Sequence, residues 1–284
     1  MRIERIGKAT LYLGDSNEVI EHIEQVQAVV TDPPYGLSFC GHGWDYDVPS
    51  IELWQAIADR MAAGAHLLAF GGTRTYHRLV CAMEDAGLEV RDMLAWLYGT
   101  GMAKGRNLKP ANEPICLARK PFRGSQRAHI EATGLGALRI DENRVPSGSD
   151  YHELKVTSGV GTITTSYNFR KESRPFEPAS GRWPANVIHD GNDDILGDKA
   201  RYFYAAKPSR KERQGNPHPT VKPIALMKHL IGLVTPPNGT VLDPFMGSGT
   251  TGVSAIKLGH KFIGIERDET YFETAVRRLR EAAE

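Results

Sequence analysis

The chain has 284 residues, 40% of them hydrophobic, enough to bury a full core as one large domain with an insertion. Three unevenly spaced cysteines (Cys40, Cys81, Cys116) without a CxxC pair predict neither a disulfide framework nor a zinc site. No secretory pattern opens the chain and no apolar run approaches membrane-spanning length, which predicts a soluble cytoplasmic protein.

The formal net charge of +1 hides an asymmetry. Residues 104–213 hold 20 Lys and Arg against 13 Asp and Glu, and the remainder holds 15 against 21. A basic middle third on an acidic body offers one surface suited to polyanions, although loops are often basic for solvation alone.

In chain order, residues 11–13 (Leu-Tyr-Leu) read as a short strand with Gly14-Asp15 just past its end. Ser16 is placed to cap a helix over 16–24, with Val19, Ile20 and Ile23 on one face. The apolar run Ala28-Val29-Val30 then stops at Thr31-Asp32-Pro33-Pro34-Tyr35. Consecutive prolines hold φ near one value, so the Asp32 carboxylate and the Tyr35 ring leave the strand end in fixed directions. Open α/β sheets place their chemistry at such strand ends. A carboxylate, a backbone carbonyl and an aromatic ring form a clamp for a planar group bearing an amine; the plain alternative is a surface turn. The glycine-rich loop 36–48, with Phe39 and Trp44, is predicted to be a flap over this clamp.

A helix follows over 51–62, with Ile51, Trp54, Ile57 and Met61 inward, and then a strand over 66–70 stopped by Gly71-Gly72. The helix over 76–86 ends at Gly87, a position for a left-handed cap. Residues 88–98 and 114–118 read as an antiparallel pair closing the sheet. Between about 120 and 215 the periodicity fades. Arg123, Arg127, Arg170, Lys171, Lys207, Arg210, Lys211 and Arg213 are phosphate-contact candidates as a group.

Order returns at His218-Pro219-Thr220-Val221-Lys222-Pro223. Pro223 suits the first turn of a helix through Leu226, Leu230 and Leu233, whose amino end beside Lys222 is an anion site. Residues 239–252 read as strand, turn, glycine loop and helix onset, and 262–266 as a strand with Glu266 at its tip. Gly247-x-Gly249-x-x-Gly252 between strand and helix predicts a nucleoside cofactor, with Glu266 taking two ribose hydroxyls. No Lys follows the glycines, which excludes a P-loop. Asp243-Pro244-Phe245-Met246 widens the turn and speaks against NAD. If the cofactor's second part is an amino acid, Lys222 can hold its carboxylate.

With both motifs in view, the chain resembles the β-group of DNA amino-methyltransferases that use S-adenosylmethionine. The resemblance rests on Asp32-Pro33-Pro34-Tyr35, His218-Pro219-Thr220-Val221-Lys222-Pro223 and Asp243-Pro244-Phe245-Met246-Gly247-Ser248-Gly249-Thr250 in that order, with Tyr12–Asp15 and 262–266 as further matches. It implies an α/β, Rossmann-like methyltransferase fold in circularly permuted motif order. The sheet would have seven strands, mostly parallel with one antiparallel, and an irregular basic target-recognition insertion. The catalytic half would span 1–104, the last sheet strand with the recognition region 105–215, and the cofactor half 216–284.

Carried over by motif, Phe245, Gly247, Ser248, Gly249 and Thr250 would line S-adenosylmethionine, with Asp243 near its amino-acid moiety. Thr220 and Lys222 would sit at the methionine end, Glu266 on the ribose and Asp15 on the adenine amine. Thr250 as a helix cap and Asp15 as a turn residue are the structural alternatives. The implied reaction is methylation of adenine N6 in a base flipped out of duplex DNA, with Asp32 and Pro33 accepting from the amine and Tyr35 stacking on the ring. Cytosine N4, an RNA base or a protein glutamine are alternative targets, and an NAD-dependent oxidoreductase is the alternative chemistry. The recognition sequence, a homodimeric state and a cognate restriction endonuclease stay open.

Overall fold

The computed structural model describes residues 1–37, 46–99, 101, 106–146, 181–191, 196–206 and 221–284. The flap residues Phe39 and Trp44, Thr220, and six of the eight phosphate-contact candidates lie outside the described residues.

Ten strands form a single sheet among the described residues. They are β1 (Arg2–Ile6), β2 (Ala9–Leu13), β3 (Val26–Thr31), β4 (Met61–Phe70), β5 (Glu89–Leu97), β6 (Asn112–Arg119), β7 (Val187–His189), β8 (Tyr204–Ala205), β9 (Thr240–Asp243) and β10 (Lys261–Glu266). Their spatial order is β1-β2-β10-β9-β3-β4-β6-β5-β7-β8. The inner seven, β2 to β5 in that order, run parallel except β6, which is antiparallel to both its neighbours. This is the expected sheet of six parallel strands and one antiparallel. The count of seven is corrected to ten by an antiparallel strand at one edge and two parallel strands at the other. The latter two come from the segment whose periodicity fades, where strands of three and two residues are too short to show a period.

Helices cover both faces. α1 (Ser16–Val19), α2 (Ile51–Arg60) and α3 (Tyr76–Asp85) bury Val19, Trp54, Ile57, Leu79 and Met83 against one side. α5 (Ile224–Val234), α6 (Thr250–Lys257) and α7 (Glu269–Ala283) bury Leu226, Leu230, Val253, Phe272 and Leu279 against the other. β3 lies between both layers: Ala28 and Val30 belong to one core, Val29 to the other, and none has exposed surface. A strand buried on both faces has no polar alternation, which is why it reads as a continuous apolar run. α4 (Gln126–Thr133) lies outside these layers and ends at left-handed Gly134. No described helix is long and apolar enough to cross a membrane.

Several elements differ locally from expectation. The helix expected over 16–24 is a four-residue α1 followed by a 3-10 turn at Ile20–His22. Its cap is Asp15, whose Oδ1 accepts from the Asn17 amide at 2.9 Å, while the Ser16 hydroxyl donates to the Pro244 carbonyl. Ile51 is 40% exposed rather than inward, and Met61 opens β4. Pro223 occupies the capping position before α5, not its first turn. α3 gives way to Gly87 at φ +86°, as expected.

Candidate active site

The parallel strands end on one edge, and the predicted site residues converge there. Thr31 closes β3, and its hydroxyl donates to Asp243 Oδ1 at the end of β9 at 2.7 Å, with both residues buried. This bond joins the two motif-bearing strands, which are distant along the chain but adjacent in the sheet. Beyond it, Pro33 is buried, and the Tyr35 carbonyl accepts from the Thr75 hydroxyl at 2.5 Å, anchoring the proline turn to the loop after β4.

Four polar side chains meet behind this turn. Lys222 Nζ lies 2.6 Å from Asp32 Oδ2, 3.2 Å from Glu113 Oε2 and 3.3 Å from the Tyr35 hydroxyl. The Tyr35 hydroxyl in turn donates to Asp32 Oδ1 at 2.5 Å and approaches Glu113 Oε2 at 3.3 Å. Lys222 is 7% exposed, and its ammonium stands 4.8 Å from the Phe70 ring centroid. Burial would pull the ammonium down, but the two carboxylates outweigh it and hold it charged above its ordinary value. Burial, reinforced by Asp32 and Glu113, pushes the Tyr35 phenol well above its ordinary value, so it stays a neutral donor.

Two features of this cluster are not legible in the sequence. Lys222, expected at a cofactor carboxylate, instead directs its ammonium at Asp32 and Glu113. Glu113 falls one residue before the strand expected from 114. Its signal is the antiparallel sense of β6, which brings that strand's first residues to the edge where its parallel neighbours end.

The glycine loop after β9 is built from within. Asp243 is 2% exposed; Oδ1 accepts from the Phe245 amide at 3.1 Å and Oδ2 from the Thr251 hydroxyl at 2.6 Å, besides the Thr31 bond. Burial pushes its carboxyl up to about 6 despite these donors. Glu266 at the tip of β10 accepts from the Gly247 amide at 2.9 Å and the Asp268 amide at 2.7 Å, so it braces the loop from the next strand. Burial raises its carboxyl as well. Gly247 and Gly249 lie at φ +52° and +81°, the left-handed region that favours glycine. A Cβ on Gly249 would stand 2.8 Å from Leu279, and one on Gly252 would stand 2.6 Å from the Phe262 ring. Arg278 on α7 completes the loop: its guanidinium donates to the Ser248 carbonyl at 2.5 Å and to the Thr250 hydroxyl at 3.1 Å. Nothing in the sequence marks Arg278, which sits on the polar face of an amphipathic helix.

Both halves open on one cavity of about 1360 Å³. Its walls include Asp15, Asp32, Pro33, Pro34, Tyr35, Lys222, Asp243, Phe245, Gly247, Ser248, Thr250 and Glu266. Ligand pockets commonly run to about 1,000 Å³, so there is room for a nucleoside cofactor and a base together. Gly249 does not line the cavity; it faces α7, where its missing side chain lets the loop approach Ala275 and Leu279. Leu108, Lys109 and Arg74 are exposed residues of the cavity wall. Arg123 and Arg127, by contrast, flank the start of α4 at the opposite end of the sheet. There the Gly64 amide donates to the Lys120 carbonyl, and His129 bonds the Ala63 carbonyl. That placement removes them from the surface around the clamp.

The donor set suits a nucleoside joined to an amino acid. Glu266 at the tip of β10 and Asp15 just past the end of the adjacent β2 are carboxylates, and Phe245 adds an apolar surface to the same cavity wall. No basic residue lies on the glycine loop to meet a pyrophosphate.

A sequence model of the family described as DNA methylase, of N6/N4 type, matches residues 26–277. The type II methyltransferase M2.LlaDCHI of Lactococcus lactis subsp. cremoris is 45% identical over 74 residues, which is 26% of this chain and 28% of that one. The type II methyltransferase M.HindIII of Haemophilus influenzae is 27% identical over 243 residues, 77% of this chain. The chain spans 64% of the length of M.HindIII. Among solved structures, the M1.HpyAVI–SAM complex superposes with a TM-score of 0.56 at 24% identity, covering 95% of this chain and 100% of that chain.

Proposed function

Because the chain belongs to the N6/N4 DNA methylase family, we propose that it transfers the methyl group of S-adenosylmethionine to the exocyclic N6 amine of an adenine flipped out of duplex DNA. The observation that carries this reading is the shared cavity: the Asp32 clamp at the end of β3 and the braced glycine loop at the end of β9 face the same space. When bound, S-adenosylmethionine supplies a methyl on a sulfonium, a leaving group that needs no acid. Glu266 and Asp15 are the residues that would hold its ribose and adenine, with Phe245, Gly247, Ser248 and Thr250 along the loop.

The work of the protein's own groups is positioning. An adenine amine is a poor nucleophile because its lone pair is delocalised into the ring. Accepting its two N–H bonds at the Asp32 carboxylate and the Pro33 carbonyl favours a pyramidal nitrogen with its lone pair directed outward. The same carboxylate stabilises the positive charge that grows on nitrogen as the methyl–sulfur bond breaks, and the methylated nitrogen then loses one of its two protons to solvent. Tyr35 offers its ring face to the base while its hydroxyl holds Asp32 Oδ1. No covalent intermediate is required. The exposed Arg74 and Lys109 are phosphate-contact candidates at the cavity, a role that replaces the one expected of Arg123 and Arg127.

A second reading, methylation of cytosine N4, uses the same clamp on the same kind of amine. The hydride-transfer reading leaves Asp32, Glu113 and Lys222 without a task. The naming of both relatives as type II methyltransferases favours a place beside a cognate restriction endonuclease. Detection of modified bases in the genome of a methylation-deficient host expressing the chain, beside an Asp32→Ala copy, tests the whole reading. N6-methyladenine confined to one short motif and absent in the mutant is expected; N4-methylcytosine would install the second reading, and unmodified DNA would sink both.

A further inference from the structure

The clamp carries an ion pair that the proposed reaction does not ask for. A positive charge grows on the target nitrogen as the methyl arrives, yet the carboxylate that should stabilise it is already bonded to a buried ammonium 2.6 Å away. Taken alone, Asp32 and Lys222 sum to zero, and a neutral pair offers little to a developing cation. Glu113 changes that sum. Its Oε2 lies 3.2 Å from the same ammonium, so three groups of charge −1, +1 and −1 leave a net −1 at the clamp. Glu113 is one-fifth exposed, Lys222 less than a tenth, so this charge is only partly screened by water.

The geometry also gives Lys222 somewhere to go. Both Asp32 oxygens are engaged, Oδ1 by the Tyr35 hydroxyl and Oδ2 by Lys222. An amine entering the clamp competes for one of them. With Glu113 already within hydrogen-bond reach, the ammonium can shift its weight to that carboxylate and release Oδ2 without losing its own counter-ion.

We propose that Glu113 is a positioning residue for methyl transfer: acting through Lys222, it keeps the Asp32 clamp net negative and frees one Asp32 oxygen for the target amine. This rests on the reading of Asp32 as the amine acceptor. It also reassigns Lys222 from the cofactor carboxylate to the balance of charge at the clamp.

The test is a double-mutant cycle read by single-turnover methylation of duplex DNA, with S-adenosylmethionine affinity by calorimetry and melting temperature measured on every variant. Glu113→Gln brings the clamp to zero net charge and slows transfer on the order of 10²-fold, with cofactor affinity within threefold of wild type. Glu113→Asp keeps the charge and stays within tenfold. Glu113→Gln combined with Lys222→Met restores a net −1 and transfers at least tenfold faster than Glu113→Gln alone, a recovery that a purely structural role cannot produce. Should Glu113→Gln fail to fold, Lys222→Met and the double variant decide: with the ammonium gone, removing the Glu113 charge must not slow transfer further. An unimpaired Glu113→Gln, a double variant no faster than it, or a double variant tenfold slower than Lys222→Met overturns the proposal. A wild-type protein that leaves DNA amines unmodified overturns the amine-clamp reading and this inference with it, whereas an active wild type with an unimpaired Glu113→Gln overturns the inference alone.

Discussion

Lys222 Nζ lies 2.6 Å from Asp32 Oδ2 although 190 residues separate them. The bond ties the motif before α5 to the motif after β3 at one carboxylate. It also sets the consequence of removing that carboxylate. Asp32→Ala is expected to lower methyl transfer about 10²- to 10³-fold, the scale for losing one preorganised group at a site of developing charge. The proposed cofactor residues lie at or just past the ends of β2, β9 and β10, so binding of S-adenosylmethionine should change by no more than a few-fold. Incorporation of labelled methyl groups and calorimetry on the same preparations separate the two effects; near-normal transfer would remove Asp32 from the mechanism.

The glycine loop makes a prediction about packing rather than chemistry. A methyl added at Gly252 would stand 2.6 Å from Phe262 Cε1 and 3.0 Å from Leu279 Cδ2, two side chains that are themselves buried in the core. Gly252→Ala should cost about 1–3 kcal/mol, the range for overpacking a core. Denaturant midpoints check this, and an unchanged midpoint would show that the loop tolerates a wider separation of α6 from β10.

Acid stability follows from two buried histidines. Burial holds the imidazoles of His66 and His229 at about 4, with Arg119 and Arg91 adding to the effect on His66. An unfolded histidine titrates near 6.5, so between about 6.5 and 4 the unfolded chain binds protons that the folded one does not, and stability falls with pH. At pH 5 each contributes a loss of roughly 2 kcal/mol relative to neutral pH. Asp243 acts oppositely: its carboxyl, held up to about 6, takes a proton in the folded state first and offsets roughly 1 kcal/mol over the same range. The two histidines win, and the protein should be distinctly less stable at pH 5 than at pH 7. His229 stacks on Tyr204 at 3.9 Å, so His229→Phe keeps the ring contact and should flatten the difference in denaturant stability between pH 7 and pH 5. An unchanged slope would assign the acid loss elsewhere.

The DNA-facing side is predicted by geometry. Arg74 and Lys109 belong to the cavity wall, while Arg123 and Arg127 occupy the other end of the sheet and Arg127 pairs with Glu131. Replacing Arg74 and Lys109 with Gln should weaken duplex binding and reduce the slope of log K against log salt by about 0.9 for each phosphate left unneutralised. The same change at Arg123 and Arg127 should leave the slope intact. Fluorescence anisotropy titrations over a range of salt concentrations compare them; equal effects from both pairs would contradict the placement.

The order of motifs, the helices other than α4 and the inner sheet were legible because their signals are local; α4 falls where the periodicity fades. Apolar runs ended by proline or glycine mark β3, β4 and β9, and a glycine triad between strand and helix marks the loop at 247–252. Glu266 and Asp15 were legible as acids at strand tips. The edge strands β7 and β8 were not, because a strand of two or three residues has no period and exists only through its neighbour's hydrogen bonds. The same limit applied to the site. Asp32 and Tyr35 announce themselves through the rigid turn that carries them, but the partners of Asp32 do not. Lys222 reaches it through the crossing of α5 over the sheet, and Glu113 through the pairing of β6 with β4 as well as β5; the antiparallel sense of β6 was legible, but not which strand end it would bring Glu113 to. Sequence by itself determined which groups this protein possesses and the strand ends that display them. Only the tertiary structure decided which charges lie within 4 Å of one another, since electrostatic balance at a buried site depends on separation in space.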